Sequence, residues 1–172
     1  MTEADAAGQW VLLSYRLPRE PSTPRITVWR KLKRLGVAQL SDGLVALPAD
    51  ARTREQLEWI AEEILELGGK AGVWLARPGT VRQERELASA MAAARAEEYT
   101  AVLAEARQSA SLGETRREQV VRRLRAELRR IGKRDYFPPA ERDAARAGVL
   151  DLARSGEQPA VVEAPGSLEG QP

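Results

Sequence analysis

The chain has 172 residues, of which 43% are hydrophobic and 30% are charged, and its formal net charge is +2. This length suits one domain with an appendage, and this composition excludes a membrane-embedded or wholly disordered protein. The chain has no cysteine and no histidine, which excludes disulfides, thiolate nucleophiles, Ser-His-Asp triads and zinc sites built on sulfur or imidazole. Any bound metal would be a hard cation on oxygen ligands.

The two ends of the chain are richer in small and polar residues than the middle. The first eight residues carry Glu3 and Asp5 without a basic or apolar run, so we expect no secretory signal. We expect residues 1–9 and 155–172 to be disordered. No apolar run approaches the roughly 20 residues of a spanning helix. We therefore expect a cytoplasmic protein without a membrane partner.

The first part of the chain predicts a strand followed by an amphipathic helix. Strand formers fill residues 10–15, and Pro18 bounds the run. In the helix that follows, Thr23 is expected to be the N-cap and Pro24 the first helical residue. Its apolar residues recur at spacings of three and four, and Gly36 is expected to end it.

A hairpin, a second helix and a fourth strand are predicted next. The Asp-Gly pair at 42–43 lies between two apolar runs and predicts a type I′ turn, because that turn needs positive φ. Thr53 is expected to cap the second helix, and the Gly-Gly pair at 68–69 is expected to end it. The order β-α-β-β-α-β over residues 10–78 predicts an α+β, ferredoxin-like domain with both helices on one face of an antiparallel sheet.

Residues 79–154 predict a helical extension. Residues 80–110 are expected to form one long helix, or two helices broken near Glu98. Residues 114–131 carry a heptad-like apolar seam, which indicates either a coiled coil or an intramolecular helical hairpin. A last short helix is predicted over residues 140–154.

Four segments of the chain together resemble a known family. In this order and spacing they are similar to the N-terminal domain of ChrB proteins, and the resemblance covers roughly residues 10–152. The layout is also similar to the central domain of PaaX-type repressors and to the small ferredoxin-like endoribonucleases of CRISPR adaptation. The segments are Tyr15-Arg-Leu-Pro18, Arg25-Ile-Thr-Val-Trp-Arg-Lys-Leu-Lys-Arg-Leu-Gly36, Leu40-Ser-Asp-Gly-Leu-Val-Ala-Leu-Pro48 and Arg134-Asp-Tyr-Phe137.

The resemblance implies a role in transcription regulation. ChrB proteins are implicated in chromate-responsive control of chromate-efflux operons, and PaaX proteins bind operator DNA. On that basis we expect a regulator or accessory DNA-binding protein of chromate resistance that is not an enzyme and needs no cofactor. DNA is the expected partner and the chromate oxyanion a candidate effector. We also expect a homodimer, formed through a sheet edge or through the seam at 114–131.

Two basic blocks, separated by acidic segments, are the candidate DNA contacts. Residues 16–34 and residues 114–134 each have a net charge of +6, whereas residues 52–67 have −3 and residues 135–172 have −4. Basic side chains neutralise phosphates and release counterions. The candidates of the first basic block are Arg16, Arg19, Arg25, Arg30, Lys31, Lys33 and Arg34. Those of the second basic block are Arg116, Arg117, Arg122, Arg123, Arg125, Arg129 and Arg130, with Lys133 and Arg134 continuing the run.

Other interpretations of the same residues remain open. Each block is also compatible with a solvated helix face, with internal pairing to the acidic segments, or with an interaction module that docks an acidic protein partner. An oxyanion pocket near Thr23 at a helix N-terminus is a further alternative. A metal-dependent nuclease is the enzymatic alternative, but Arg16 stands where the CRISPR relatives have an aspartate, and a cation there would repel a metal.

The aromatic side chains are interpreted as structural. Tyr136 and Phe137, which precede two prolines, are expected to dock the helical extension on the sheet domain. For the tryptophans, packing in the core is favoured over stacking on bases. They are Trp10, Trp29, Trp59 and Trp74.

Overall fold

The computed structural model describes residues 8–155. The predicted disordered segments, 1–9 and 155–172, lie outside these residues apart from 8–9 and 155. The described chain has the predicted α+β composition, with four strands and five helices. They are β1 (Trp10–Arg16), α1 (Thr23–Leu35), β2 (Ala38–Ser41), β3 (Leu44–Pro48), α2 (Ala51–Glu66), β4 (Lys70–Ala76), α3 (Val81–Gln108), α4 (Glu114–Gly132) and α5 (Glu141–Arg154).

The sheet has the strand order β2-β3-β1-β4, and all neighbouring strands are antiparallel. β1 therefore lies inside the sheet, where Leu12 is opposite Ala46 of β3 and Trp74 of β4. β2 and β4 are the edge strands. This order, with α1 and α2 as the crossovers, is the ferredoxin-like arrangement that the sequence predicts.

The two faces of the sheet are covered differently. Val11 and Leu13 of β1 are fully buried in a core shared with α1 and α2. Because successive strand residues alternate between the faces, Trp10 and Leu12 belong to the other face, called the outer face here. There Trp10 stacks on Phe137 with 6.0 Å between the ring centroids, and α3 packs beside it.

The residues that begin α1 and α2 differ from the predicted caps. Ser22, not Thr23, is the N-cap of α1, and Pro24 lies inside its first turn. Asp50, not Thr53, is the N-cap of α2: its carboxylate accepts a hydrogen bond from the Thr53 amide at 2.7 Å. The Thr53 hydroxyl accepts one from the Asp50 amide at 3.0 Å. This reciprocal capping box satisfies two free amides, whereas Thr53 as the N-cap would satisfy one.

The hairpin between β2 and β3 is confirmed, but its predicted turn type is wrong. A type I′ turn needs positive φ at both central residues, and among the described residues only glycines have positive φ, so Asp42 does not. Gly43 has a φ of 73°, and a Cβ there would lie 2.3 Å from the Tyr15 carbonyl oxygen. The register of β2 shifts between Gln39 and Ser41, so the pairing of the hairpin is irregular next to the turn.

The helical extension forms a second hydrophobic core. α3 is one continuous helix of 28 residues, without a break near Glu98. The seam of α4 is buried against α3 and α5, as its residues Val121, Leu124 and Ile131 show. The seam therefore packs within the chain, as the alternative of an intramolecular helical hairpin predicted, and the homodimer stays a prediction. Within residues 8–155, no helix has the length and apolar composition to cross a membrane.

The extension is attached to the sheet domain as predicted. The Tyr136 hydroxyl donates a hydrogen bond to the Leu35 carbonyl oxygen at the end of α1, at 3.2 Å. Phe137 packs on Trp10 of β1. The predicted boundary at 78–79 falls between β4 and α3, but α3 contributes to both cores, since Met91 belongs to the first and Tyr99 to the second.

Candidate nucleic-acid interface

A groove on α4 brings together part of the second basic block. Arg122, Arg125 and Arg129 are exposed and line this groove with Arg117, beside Leu152 near the end of α5. The carboxylates Glu114 and Glu118 line the groove as well. Its volume is about 520 Å³. None of these arginines forms an ion pair with another described residue. We call it the arginine groove.

The other arginines of α4 point elsewhere and are partly neutralised. Arg123 forms an ion pair with Glu105 of α3, which raises the pKa of the Arg123 guanidinium. Arg130 pairs with Glu127 of its own helix. Internal pairing therefore explains two members of the second basic block but not the arginine groove. No described residue of the acidic segment 52–67 pairs with α4.

Arg134, at the end of the second basic run, has a structural role. It binds Glu98 with both terminal nitrogens, at 2.9 and 2.5 Å. Arg95 binds the same carboxylate at 2.8 Å, and burial lowers the pKa of Arg95. Because Glu98 holds both guanidinium groups, Arg134 is less available to a phosphate than the unpaired arginines of the arginine groove.

The first basic block lies on α1 and on the segment before it. Arg16 and Arg25 line a groove of about 770 Å³ with Trp29 and Asp42, at the end of β1. Burial raises the pKa of Tyr15 in this groove; Asp42 adds to the rise and Arg25 opposes it. Ser22 also lines the groove, next to the exposed Thr23 of the predicted oxyanion pocket. No described feature singles out an oxyanion there, and that pocket stays a prediction.

Most of this block is unpaired within residues 8–155. Lys31 binds Glu63 of α2 at 2.6 Å, and the Lys33 ammonium lies 5.3 Å from the centre of the Trp29 ring. Neither that ammonium nor the remaining members of the block form an ion pair with a described residue. The remaining members are Arg16, Arg19, Arg25, Arg30 and Arg34.

The two basic helices adjoin at their C-terminal ends. Gly36 ends α1 with a φ of 75°, and a Cβ there would lie 2.8 Å from the Cβ of Arg134 and 2.9 Å from a nitrogen of Arg95. Arg134 lies two residues beyond the end of α4. The last turn of α1 holds Lys33, and basic side chains are stabilised at helix C-termini. The fold thus joins the two basic blocks, which are about 100 residues apart in the sequence.

The end of β1, where the nuclease alternative needs a carboxylate, is cationic. Arg16 pairs in register with Lys70 of β4. No group of three or more Asp or Glu residues suited to a metal ion occurs in the part of the chain that the structure describes. The side chains at this end of the sheet would therefore repel a divalent cation.

The prediction that all four tryptophans pack in the core is wrong for two of them. Trp10 is buried and Trp29 half-buried, but Trp59 is 70% and Trp74 60% exposed. Trp74 and Gly72 lie two residues apart on the same face of an edge strand. Sequence reasoning favoured core packing for Trp74 because it predicted a strand over residues 71–76 without placing that strand at the edge of the sheet.

The fold and the arginine groove define an α+β protein of ferredoxin-like topology with a basic helical extension. The sequence model of the family described as "Protein ChrB, N-terminal" matches residues 25–158. The chain is similar to Protein ChrB of Cupriavidus metallidurans, with 30% identity over 133 residues, which are 75% of this chain and 40% of that protein. No solved structure matches the chain significantly. The chain belongs to the ChrB N-terminal family, and it spans less than half the length of this relative.

Proposed function

We propose that this chain is the DNA-binding part of a chromate-resistance regulator and has no catalytic role. Membership of the ChrB family supports the link to chromate resistance. One observation carries the DNA contact: Arg122, Arg125 and Arg129 line a single groove and have no ion-pair partner among the described residues. A groove of unpaired guanidinium groups suits the phosphates of a nucleic acid backbone.

The three arginines repel one another, and only Arg122 has a carboxylate, that of Glu118, four residues before it on the helix. Arg122 and Arg125 are three residues apart and Arg125 and Arg129 four, so their charges are neighbours on the helix surface. Like charges at these spacings destabilise a helix by about 0.2–0.5 kcal/mol per pair. A polyanion in the groove relieves this repulsion. A solvated face with no partner leaves it in place, so the unpaired arginines favour the DNA-binding interpretation.

The first basic block extends the same surface in this proposal. Arg30 and Arg34 lie near the end of α1 that adjoins the end of α4. Both are exposed and unpaired within residues 8–155. A duplex that contacts the arginine groove and continues across this junction would meet both blocks, and each phosphate contact adds to the salt dependence of binding.

The test is a salt titration of duplex DNA binding, with DNA from upstream of the protein's own gene. Each phosphate contact contributes about 0.9 to the slope of log affinity against log salt concentration. R122Q/R125Q/R129Q should therefore reduce that slope by roughly 2.7 and weaken binding. The matched control is R116Q/R123Q/R130Q, which removes the same charge from another face of α4 and should have the smaller effect.

Two outcomes contradict the proposal. Absence of duplex binding at low salt would exclude DNA as the partner and favour docking of an acidic protein. Equal effects of the two triple variants would show that net charge, rather than the arginine groove, determines binding. Chromate is tested as the effector in the same titration: release of DNA by chromate, but not by sulfate at the same ionic strength, supports a chromate-responsive regulator.

A further inference from the structure

Part of the outer face of the sheet, where β1 pairs with β4, carries exposed side chains. Cross-strand partners share a face, and on this face Leu12 is opposite Trp74, Ser14 opposite Gly72, and Arg16 opposite Lys70. Trp74 is 60% exposed, although it is one of the largest apolar side chains in the protein. We call these residues the open sheet face. An exposed tryptophan on a regular strand indicates a binding surface rather than a packing position.

The indole ring of Trp74 is held in one orientation. Its Nε1 donates a hydrogen bond to the Ser14 hydroxyl at 3.0 Å, and the Ser14 hydroxyl lies 3.4 Å from the Gly72 carbonyl oxygen, to which it donates. A Cβ on Gly72 would lie 3.1 Å from the Trp74 Nε1. The ring therefore lies across Gly72, which leaves space for it. A ring fixed in this way loses little further conformational freedom when a ligand stacks on it.

The charges on the strands themselves have one sign, although Asp42 lines a groove with Arg16 at the end of β1. The four strands contain no Asp or Glu. Arg16 and Lys70 lie at one end of the open sheet face, and Arg77 lies beyond its other end, in a small cleft with Leu12. Glu84 of α3 is a carboxylate near this second end. It already accepts hydrogen bonds from the Gly8 amide and the Trp10 indole.

We infer that the open sheet face binds single-stranded nucleic acid, with a base stacked on Trp74 and the adjoining phosphates contacted by Arg16 and Lys70. Single-strand sites combine aromatic rings, on which bases stack, with cations along the backbone. A duplex cannot use Trp74 in this way because its bases are already stacked. The site shares no residue with the arginine groove, so it does not depend on the function proposed for that groove.

The experiment uses fluorescence anisotropy of a short labelled oligothymidylate and the matching oligouridylate at low salt. Loss of one stacking ring weakens single-strand binding by roughly tenfold, so Trp74→Ala should bind about tenfold more weakly. Trp74→Phe keeps an aromatic face and should stay within a few-fold of the wild type. Trp59→Ala is the matched control, because Trp59 is as exposed but lies on α2, and it should bind like the wild type. Comparison of the two oligonucleotides shows whether DNA or RNA is preferred.

Duplex binding is measured on the same proteins to separate this site from the arginine groove. Trp74→Ala should leave duplex affinity unchanged. The tenfold effect of Trp74→Ala on single strands should persist in the R122Q/R125Q/R129Q background. The inference is overturned if Trp74→Ala binds single strands like the wild type, or if Trp59→Ala loses as much affinity. It is also overturned if no oligonucleotide binds at low salt. That outcome would favour a peptide that pairs as an added strand with the edge of β4.

Discussion

The two hydrophobic cores of this protein lie between elements that differ in secondary structure and in charge. In the first, branched side chains of the sheet meet those of α1 and α2, and Leu13, Leu32 and Leu47 are fully buried. In the second, α3, α4 and α5 meet around Tyr99, Leu124 and Val149. The first core is closed by a sheet whose strands carry almost no charge. The second lies under helices that carry most of the protein's arginines.

The difference shows how the protein presents a basic surface without losing stability. A helix exposes most of its side chains, so α4 can carry many arginines while Val121, Leu124 and Ile131 are buried in the core, with Val120 and Leu128 packed beside them. α3 connects the two regions, because its first half packs on the sheet and its second half on α4 and α5. We therefore expect the two cores to unfold together.

The largest expected effect comes from a cavity in either core. Leu124→Ala and Leu13→Ala each remove a side chain that is at most 1% exposed, and each should lower the free energy of unfolding by about 3 kcal/mol. All four tryptophans lie in residues 10–74, so their fluorescence reports the first core, whereas far-UV circular dichroism reports mainly the helices. In urea, the two signals should give one midpoint for both variants.

Different midpoints for the two signals would show that the two cores do not unfold together. If Leu124→Ala shifted the circular dichroism midpoint and left the tryptophan midpoint at its wild-type value, the helical extension would unfold independently. In that case α3 would not transmit stability between the cores. A conservative control is Leu124→Met, which keeps the volume and should change the free energy of unfolding by less than about 1.5 kcal/mol.

A smaller effect is expected at the polar junction between the two cores. Glu98→Gln removes the charge that holds Arg95 and Arg134, whose side chains are 12% and 21% exposed. Two largely buried guanidinium groups then lose their partner, and the free energy of unfolding should fall by about 2 kcal/mol. This is less than the roughly 3–5 kcal/mol lost when a fully buried pair is broken, because solvent screens the site. Glu86→Gln, in an exposed pair with Arg82, should change stability by less than about 0.5 kcal/mol. Equal effects of the two variants would contradict a role of Glu98 at the junction.

The second core should also respond to alkaline pH through Tyr99. Burial, together with the hydrogen bond that its hydroxyl donates to Asp135 at 2.9 Å, raises the pKa of Tyr99 to about 12. Since the unfolded phenol ionises near 10, the stabilisation is complete below pH 10 and is lost as the pH rises towards 12. Tyr99→Phe should therefore be less sensitive than the wild type to pH between 10 and 12, as measured by urea unfolding. An unchanged pH dependence would show that another group is responsible.

The sequence predicted most of the fold, because strands and helices follow from local periodicity and glycine stops. It misplaced the caps of α1 and α2, because Ser, Thr and Asp within four residues are chemically equivalent candidates. In α2 the choice between Asp50 and Thr53 depends on the reciprocal bonds that only the folded turn shows.

The candidate site was less predictable, because it depends on how elements are rotated and placed. Arg123 and Arg122 are neighbours in the sequence, but Arg123 meets Glu105, 18 residues away, while Arg122 faces a groove. The exposure of Trp74 depends on β4 being an edge strand and on how far α3 extends over the sheet. Neither property is encoded by the spacing of residues near these positions.

The smallest expected effects come from removing one helix cap in each region. Asp50 caps α2 in the sheet domain, and Thr80 caps α3, its side chain accepting a hydrogen bond from the Gln83 amide at 3.1 Å. Asp50→Ala and Thr80→Ala should each lower the free energy of unfolding by about 1 kcal/mol at neutral pH. They should differ in acid, because the amide of Thr53 holds the pKa of Asp50 below its ordinary value of 3.8, whereas a threonine does not titrate.

The sign of the acid effect follows from that lowered pKa. The contribution of Asp50 is complete above pH 3.8 and is lost as the pH falls through the lower pKa of the folded state. The difference between wild type and Asp50→Ala in urea unfolding should therefore shrink at low pH, while the difference for Thr80→Ala should stay constant. A parallel decline in both variants would show that the caps lose their effect because the whole fold loosens in acid. A decline for Asp50→Ala alone would assign the acid response to the carboxylate that begins α2.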